Sequence, residues 1–239
     1  MRIAVINPTS SETMTQTIAA GARAAASTGT QILAMRPSYG PTAIDSSYES
    51  YLAAAALMEL AGDIPSDVDA VVLAGFGEHG RDGLAEALAA PVFDIAEASA
   101  HVAMMIGRSY SVVTTLARSI APIEDRLTLA GLADRCASVR ACGWSTAAVD
   151  ADPTGAIAAI VAEARTAVEQ ERAEVICLGC AGMAGVQEAI ESTLGVPVVD
   201  GVGAAVRLAE AVVGLGLTTS KVCTFAYPEA NPVLARETS

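Results

Sequence analysis

VLAGFGEHGRDGLAEALAAPVFD at residues 72–94 and ICLGCAGMAGVQEAIESTLGVPVVD at residues 176–200 are two copies of one pattern. Each is an apolar run, a glycine-rich turn, a helix-like stretch, a short apolar run opening with Pro-Val, and an aspartate. With Gly75 set against Cys180, Pro91 falls against Pro197 with a slip of one residue. Upstream, RIAVINPTS from Arg2 and RSYSVVTTLA from Arg108 form a weaker second pair. A duplicated unit implies two half-molecules facing each other across a cleft. A thiol in only one copy makes that cleft chemically lopsided.

The chain has 239 residues, of which 52% are hydrophobic and 17% charged. That composition excludes general disorder. A chain of this length removes roughly 70% of its unfolded surface from water, enough for a substantial core. The repeat divides it into two intimately packed lobes: residues 1–106 plus 205–239, and residues 107–204. A net charge of −13 argues against nucleic acid, whose phosphates require a basic face. An anionic small molecule is still allowed, because local donors bind it. The N-terminus enters a strand pattern directly, without a signal-peptide design. Every apolar stretch is broken well before the roughly 18 residues a membrane span needs. The cysteines are Cys136, Cys142, Cys177, Cys180 and Cys223. Their odd number and irregular spacing point to reduced thiols and a cytoplasmic location.

Short β-rich runs alternate with longer helical patterns. Strands are expected at residues 3–7, 31–35, 70–74, 110–114, 138–141, 175–178 and 198–199. Helices are expected at residues 11–26, 46–61, 81–89, 95–105, 122–130, 153–171, 185–193 and 201–215. Such alternation favours an α/β fold with parallel sheets covered by helices. Thr9 or Ser10 is placed to cap the first helix, and Asp152-Pro153 to start the long one.

In parallel α/β sheets, ligands sit beyond the carboxyl ends of the strands. Four segments fall there: Asn7-Pro8-Thr9, Gly75-Phe76-Gly77, Thr114-Thr115 and Cys180-Ala181-Gly182. Each begins a turn leading toward a helix, whose free amides attract a carboxylate or an enolate oxygen. The competing reading of Thr114-Thr115 is a simple helix cap. Cys180 ends a strand and faces a helix start, a setting that favours thiolate. Its bland alternative is a small core residue, and for Cys177, inside the strand, the core reading is the stronger one. With two histidines in the chain and no second C-x-x-C, zinc is not expected. His79, four residues after Gly75, is placed to reach the cleft as a base or a substrate contact, or to sit in a surface loop. Asp94 and Asp200 match each other after the Pro-Val strands and read as helix caps.

These segments resemble the aspartate/glutamate racemase superfamily, and within it the hydantoin and allantoin racemases. The resemblance runs through MRIAVINPTS, GFGEHG at Gly75, SVVTTLAR from Ser111, GLADRCASVRA from Gly131 and ICLGCAGMAG from Ile176. It continues in GVPVVDGVGAAVRLAEAVVGLGL from Gly195 and TSK at Thr219. It implies an α/β fold of two pseudo-symmetric Rossmann-like lobes with parallel sheets and the active site in the cleft between them, no cofactor, a small-molecule substrate, and assembly as a homo-oligomer. Members of that family typically use one cysteine from each lobe, one removing a proton and the other returning one. The second family cysteine falls on Cys180. The first falls on Gly75, where a Cys-Phe-Gly-Asp-Pro-Gly pattern becomes Gly75-Phe76-Gly77-Glu78-His79-Gly80.

The leading expectation is therefore a cofactor-independent racemase or epimerase of hydantoin-like, ureido or amino-acid compounds. Cys180 serves as acid/base, with His79 or Glu78 replacing the missing thiol. Asn7, Gly75, Phe76, Gly77, Thr114, Thr115, Ala181 and Gly182 form the substrate-binding set. Two alternatives stay open at this point. One is a one-cysteine decarboxylase, lyase or related isomerase; the other is a ligand-binding homologue without turnover.

Overall fold

A computed structural model of the chain describes residues 1–183 and 186–229. Gly185, expected to open a helix, and the tail beyond residue 229 lie outside the described residues. The first half runs β1 (Arg2–Ile6), α1 (Glu12–Ala25), β2 (Gln31–Met35), α2 (Ser47–Leu60), β3 (Ala70–Leu73), α3 (Arg81–Ala87), β4 (Val92–Asp94) and α4 (Ile95–Ile106). The second runs β5 (Tyr110–Thr114), α5 (Ile120–Leu129), β6 (Cys136–Ala141), α6 (Thr146–Ala151), α7 (Pro153–Glu171), β7 (Val175–Leu178), α8 (Gln187–Leu194), β8 (Val198–Asp200) and α9 (Gly201–Gly214).

The strands form two four-stranded parallel sheets in the same order, β2-β1-β3-β4 and β6-β5-β7-β8. Every residue of β3, β5 and β7 is buried, as expected for parallel strands covered on both faces. The register fixes the repeat. Leu73 lies between Ile6 and Asp94, and Leu178 lies between Val113 and Asp200. Gly75 and Cys180 each stand two residues further on, so they occupy equivalent places at the ends of equivalent strands.

Helices α4 and α9 join the halves. α4 lies against β7 and α9, while α9 lies against α1 and β3, so each half lends a helix to the other's sheet. Their buried faces carry Ala96, Ala100 and Ala103 on one and Ala205 and Ala209 on the other. Small side chains permit a close crossing. At its tightest point a Cβ on Gly201 would stand 2.8 Å from the Ile95 carbonyl oxygen. Alanines on the two helices thus serve the contact between the halves. Both helices start on an aspartate cap. Asp94 accepts from the amides of Ala96 and Glu97, and Asp200 from those of Val202 and Gly203.

Several local expectations are corrected. The cap of α1 is Ser11, whose Oγ accepts from the Met14 amide, and not Thr9 or Ser10. Thr9 instead donates both its amide and its hydroxyl to the Asn7 side-chain oxygen, and Ser10 bonds the Gly40 carbonyl. A proline tolerated in the first turn let α5 begin at Ile120, ahead of Pro122. The helix α6 was not expected, and the sequence marks β4 only as the Pro-Val run before Asp94, without strand bounds.

Candidate functional site

The carboxyl ends of the two sheets face one cleft. Asn7, Pro8 and Thr9 follow β1, Gly75 and Phe76 follow β3, Thr115 follows β5, and Cys180, Ala181 and Gly182 follow β7. All of them line it, together with Thr114, His79, Ser119 and the segment Thr42-Ala43-Ile44. The cleft and the open solvent at its mouth together make about 590 Å³ not filled by protein atoms. Ile44, Phe76, His79 and Ser119 also border an adjoining cavity. Gly77, expected in the cleft, lines that second cavity.

Cys180 is half-buried on the cleft wall. It is held there by a tight backbone junction. The preceding Gly179 donates its amide to the Val113 carbonyl and accepts the Thr114 hydroxyl at 3.1 Å. A Cβ on Gly179 would stand 2.8 Å from Val112 Cγ1 and 3.0 Å from the Val113 oxygen, so only glycine lets the end of β7 lie this close to β5. A short 3₁₀ turn, Ala181–Met183, follows the cysteine. Cys177 is fully buried in β7, and burial pushes its thiol far above its usual range. The core reading of Cys177 therefore holds, and Cys177 does not share the cleft.

Opposite, Gly75 leaves a gap that another residue fills. A Cβ built on Gly75 would lie 2.5 Å from His79 Cδ2 and 3.0 Å from Pro8 Cγ. A Cβ on Gly77 would lie 3.2 Å from His79 Nε2. The imidazole thus occupies the space into which a side chain at position 75 would project. The turn Glu78-His79-Gly80 brings it there from four residues downstream.

The ring keeps some surface toward the cleft and is otherwise packed in protein. Burial lowers its pKa from 6.5 to about 4, against a smaller opposing pull from the Asp94 carboxylate. His79 is accordingly neutral at pH 7. Its Nδ1 lies 2.8 Å from Ser50 Oγ, which also contacts the Glu78 carbonyl at 2.8 Å. Glu78, the other candidate for the vacant face, is engaged elsewhere. Its Oε1 accepts from the amides of Gly80 and Arg81, and Oε2 lies 3.8 Å from Arg126 Nε.

Asn7 borders the cleft, but its polar atoms are occupied. The amide nitrogen donates to the Ser11 carbonyl and Thr15 Oγ1, while the oxygen accepts from Thr9. It shapes the loop that carries Pro8. Behind the site, the buried Arg126 reaches from α5 to Asp94 Oδ2 at 2.6 Å and to Glu97, fastening the start of α4. Among the described residues, no group of three or more His, Cys, Asp or Glu is placed to hold a metal ion. No helix among them is long and apolar enough to cross a membrane.

The sequence missed Ser50, Ser119 and residues 42–44. None carries a motif; Ser119 and residues 42–44 reach the cleft, and Ser50 the adjoining cavity, only through tertiary folding.

Comparison with known proteins gives a consistent picture. The Asp/Glu/Hydantoin racemase family matches residues 3–209. A hydantoin racemase from Pseudomonas sp. (strain NS671) is 40% identical over 96% of this chain and 92% of its own length. The crystal structure of an allantoin racemase from Pseudomonas fluorescens is 52% identical, with a TM-score of 0.95 over 97% of this chain and 98% of that one. An allantoin racemase from Klebsiella pneumoniae is 37% identical, with a TM-score of 0.92 over 97% of this chain and 95% of that one.

Proposed function

Because the chain belongs to the Asp/Glu/hydantoin racemase family, we propose that it is a cofactor-independent racemase of hydantoin-like or related ureido compounds. Its two acid/base groups are Cys180 and His79. The observation that carries this reading is the position of the imidazole. It fills the space beside Gly75, at the place equivalent to Cys180 in the other half.

The proposed reaction takes one proton from the carbon and returns another to its opposite face. The C–H bond beside the ring carbonyl breaks, its proton passes to the base on that face, and the electron pair spreads onto the carbonyl oxygen as an enolate. The acid on the opposite face then donates a proton to the carbon. One hand of substrate uses neutral His79 as base and the Cys180 thiol as acid. The other uses the thiolate and the imidazolium. His79 is a weak base in the empty cleft, but a developing enolate beside it favours the imidazolium. The return donation is correspondingly easy. General acid–base catalysis of this kind contributes roughly 10²–10⁴-fold. Backbone amides near Phe76-Gly77 and Ala181-Gly182 are proposed to bind the carbonyl oxygens. A single well-aimed donor of that type is worth about 3 kcal/mol in the transition state.

A one-cysteine decarboxylase is the reading that Gly75 alone favours, and the imidazole in the glycine's space weakens it. Known arylmalonate decarboxylase structures share the fold only, at 18–19% identity. A homo-oligomer remains our expectation, supported by exposed apolar side chains such as Tyr48, Tyr51 and Leu52 on α2. So does a cytoplasmic location, since all five cysteines are thiols.

Polarimetry tests the proposal. Each enantiomer of a 5-substituted hydantoin, allantoin included, should lose optical rotation without added metal or cofactor. Cys180→Ser and His79→Ala should each slow the loss at least roughly 100-fold. Undiminished racemisation by His79→Ala would contradict the assignment.

A further inference from the structure

Ser50 carries no motif and sits in the first turn of α2, 29 residues before His79 in sequence. Its hydroxyl meets two partners, the Glu78 carbonyl oxygen at 2.8 Å and His79 Nδ1 at 2.8 Å. A hydroxyl has one hydrogen, and a carbonyl oxygen can only accept. The Ser50 hydrogen is therefore spent on Glu78, and toward the imidazole Ser50 can only accept. That places the ring hydrogen on Nδ1 and leaves the lone pair on Nε2.

The surrounding cavities agree with this orientation. Ser50 lines the adjoining cavity and not the cleft, whereas His79 borders both. The opposite edge of the ring, Cδ2 and Nε2, is the one nearest the Cβ positions of Gly75 and Gly77. The ring edge away from Ser50 thus lies beside both glycines, with Cδ2 nearest Gly75 and Nε2 nearest Gly77. A neutral imidazole in water keeps its hydrogen mainly on Nε2, which would present a donor there and no base. The tautomer is set by what the other nitrogen bonds.

We propose that Ser50 is a positioning residue for the reaction: by accepting from Nδ1 it fixes the His79 tautomer and ring angle so that Nε2 faces the substrate as a base. This rests on the reading of His79 as an acid/base group. Removing the hydroxyl frees the ring to rotate and to hold its hydrogen on either nitrogen. The chemical step suffers while substrate binding does not.

Nitrogen-15 NMR of the full chain near pH 7.5 tests this. The chain has two histidines, so His101→Gln leaves the ring signals of His79 alone. The expected spectrum has a protonated Nδ1 and an unprotonated Nε2. Ser50→Ala should shift the pair toward a mixture with hydrogen on Nε2, and Ser50→Thr should restore the original pattern. In parallel, Ser50→Ala should lower the kcat for racemisation roughly tenfold, the worth of one hydrogen bond. KM should stay within about twofold, and Ser50→Thr should recover the rate. Hydrogen on Nε2 in the unaltered chain would overturn the proposal. So would an unchanged tautomer and kcat in Ser50→Ala. Undiminished racemisation by His79→Ala would instead remove the acid/base role of the ring. The NMR result would then still decide whether Ser50 sets its tautomer.

Discussion

Restoring a side chain at position 75 should fail unless His79 is removed as well. In Gly75→Cys the new Cβ would stand 2.5 Å from His79 Cδ2 and 3.0 Å from Pro8 Cγ. Carbon atoms in contact rest near 3.5–4.0 Å, and the sulfur needs room beyond the Cβ. The imidazole must therefore leave its place, although Ser50 holds its far side. Overpacking of this kind costs about 1–3 kcal/mol. In Gly75→Cys/His79→Ala the main collision is gone and only the Pro8 contact stays tight. The two substitutions should therefore couple by about 1–3 kcal/mol in the stabilising direction. Urea unfolding of the parent, both single variants and the double variant closes the cycle. Racemisation should follow the same logic: the single Gly75→Cys is no faster than the parent, while the double variant regains activity through a pair of thiols. Strictly additive stabilities, with Gly75→Cys as stable as the parent, would refute the idea that the imidazole occupies the glycine's space.

Other consequences can be measured independently. His79 has a folded pKa of about 4 against 6.5 for the ordinary group, so the unfolded chain takes up its proton first as pH falls. Stability from this group is complete above about pH 6.5 and drains away toward pH 4, by at most about 3 kcal/mol. Urea midpoints of His79→Gln should show a correspondingly flatter acid limb. Gly179→Ala should cost about 2–3 kcal/mol in urea unfolding, since its Cβ would collide with Val112 and the Val113 carbonyl. It should slow racemisation too, by moving Cys180. Asp94→Asn breaks the buried pair with Arg126 and weakens the α4 cap. A loss of about 3–5 kcal/mol in thermal unfolding is expected.

Much of this was legible in the chain because the repeat is structural. Equivalent strands end two residues before Gly75 and Cys180, and alternation of short and long apolar patterns marked seven of the eight strands. The eighth, β4, was marked only by the Pro-Val run that precedes Asp94. The sequence places residues 205–239 with the first lobe, but nothing in it marks that α4 lies against β7, because that crossing depends on three dimensions. Cys180 was marked by the turn it begins. His79 stood out through its spacing from Gly75, yet only coordinates could show its ring lying where a side chain on Gly75 would go. Ser50 was invisible, because a serine in a helix carries no signal for a contact made 29 residues away. Asn7 looked like a ligand contact because it follows a strand. It does line the cleft, and its four side-chain hydrogen bonds to Thr9, Ser11 and Thr15 could not be read from composition.

Solvent exchange probes the two-faced site most directly. With each enantiomer of a hydantoin incubated in heavy water, Cys180→Ser should still exchange the stereocentre hydrogen of one hand, by way of His79, without inverting it. His79→Ala should still exchange that of the opposite hand, by way of Cys180. Complementary one-handed exchange in the two variants is the result expected here. Exchange of the same hand in both variants, or of both hands in either one, would contradict a thiol and an imidazole serving opposite faces.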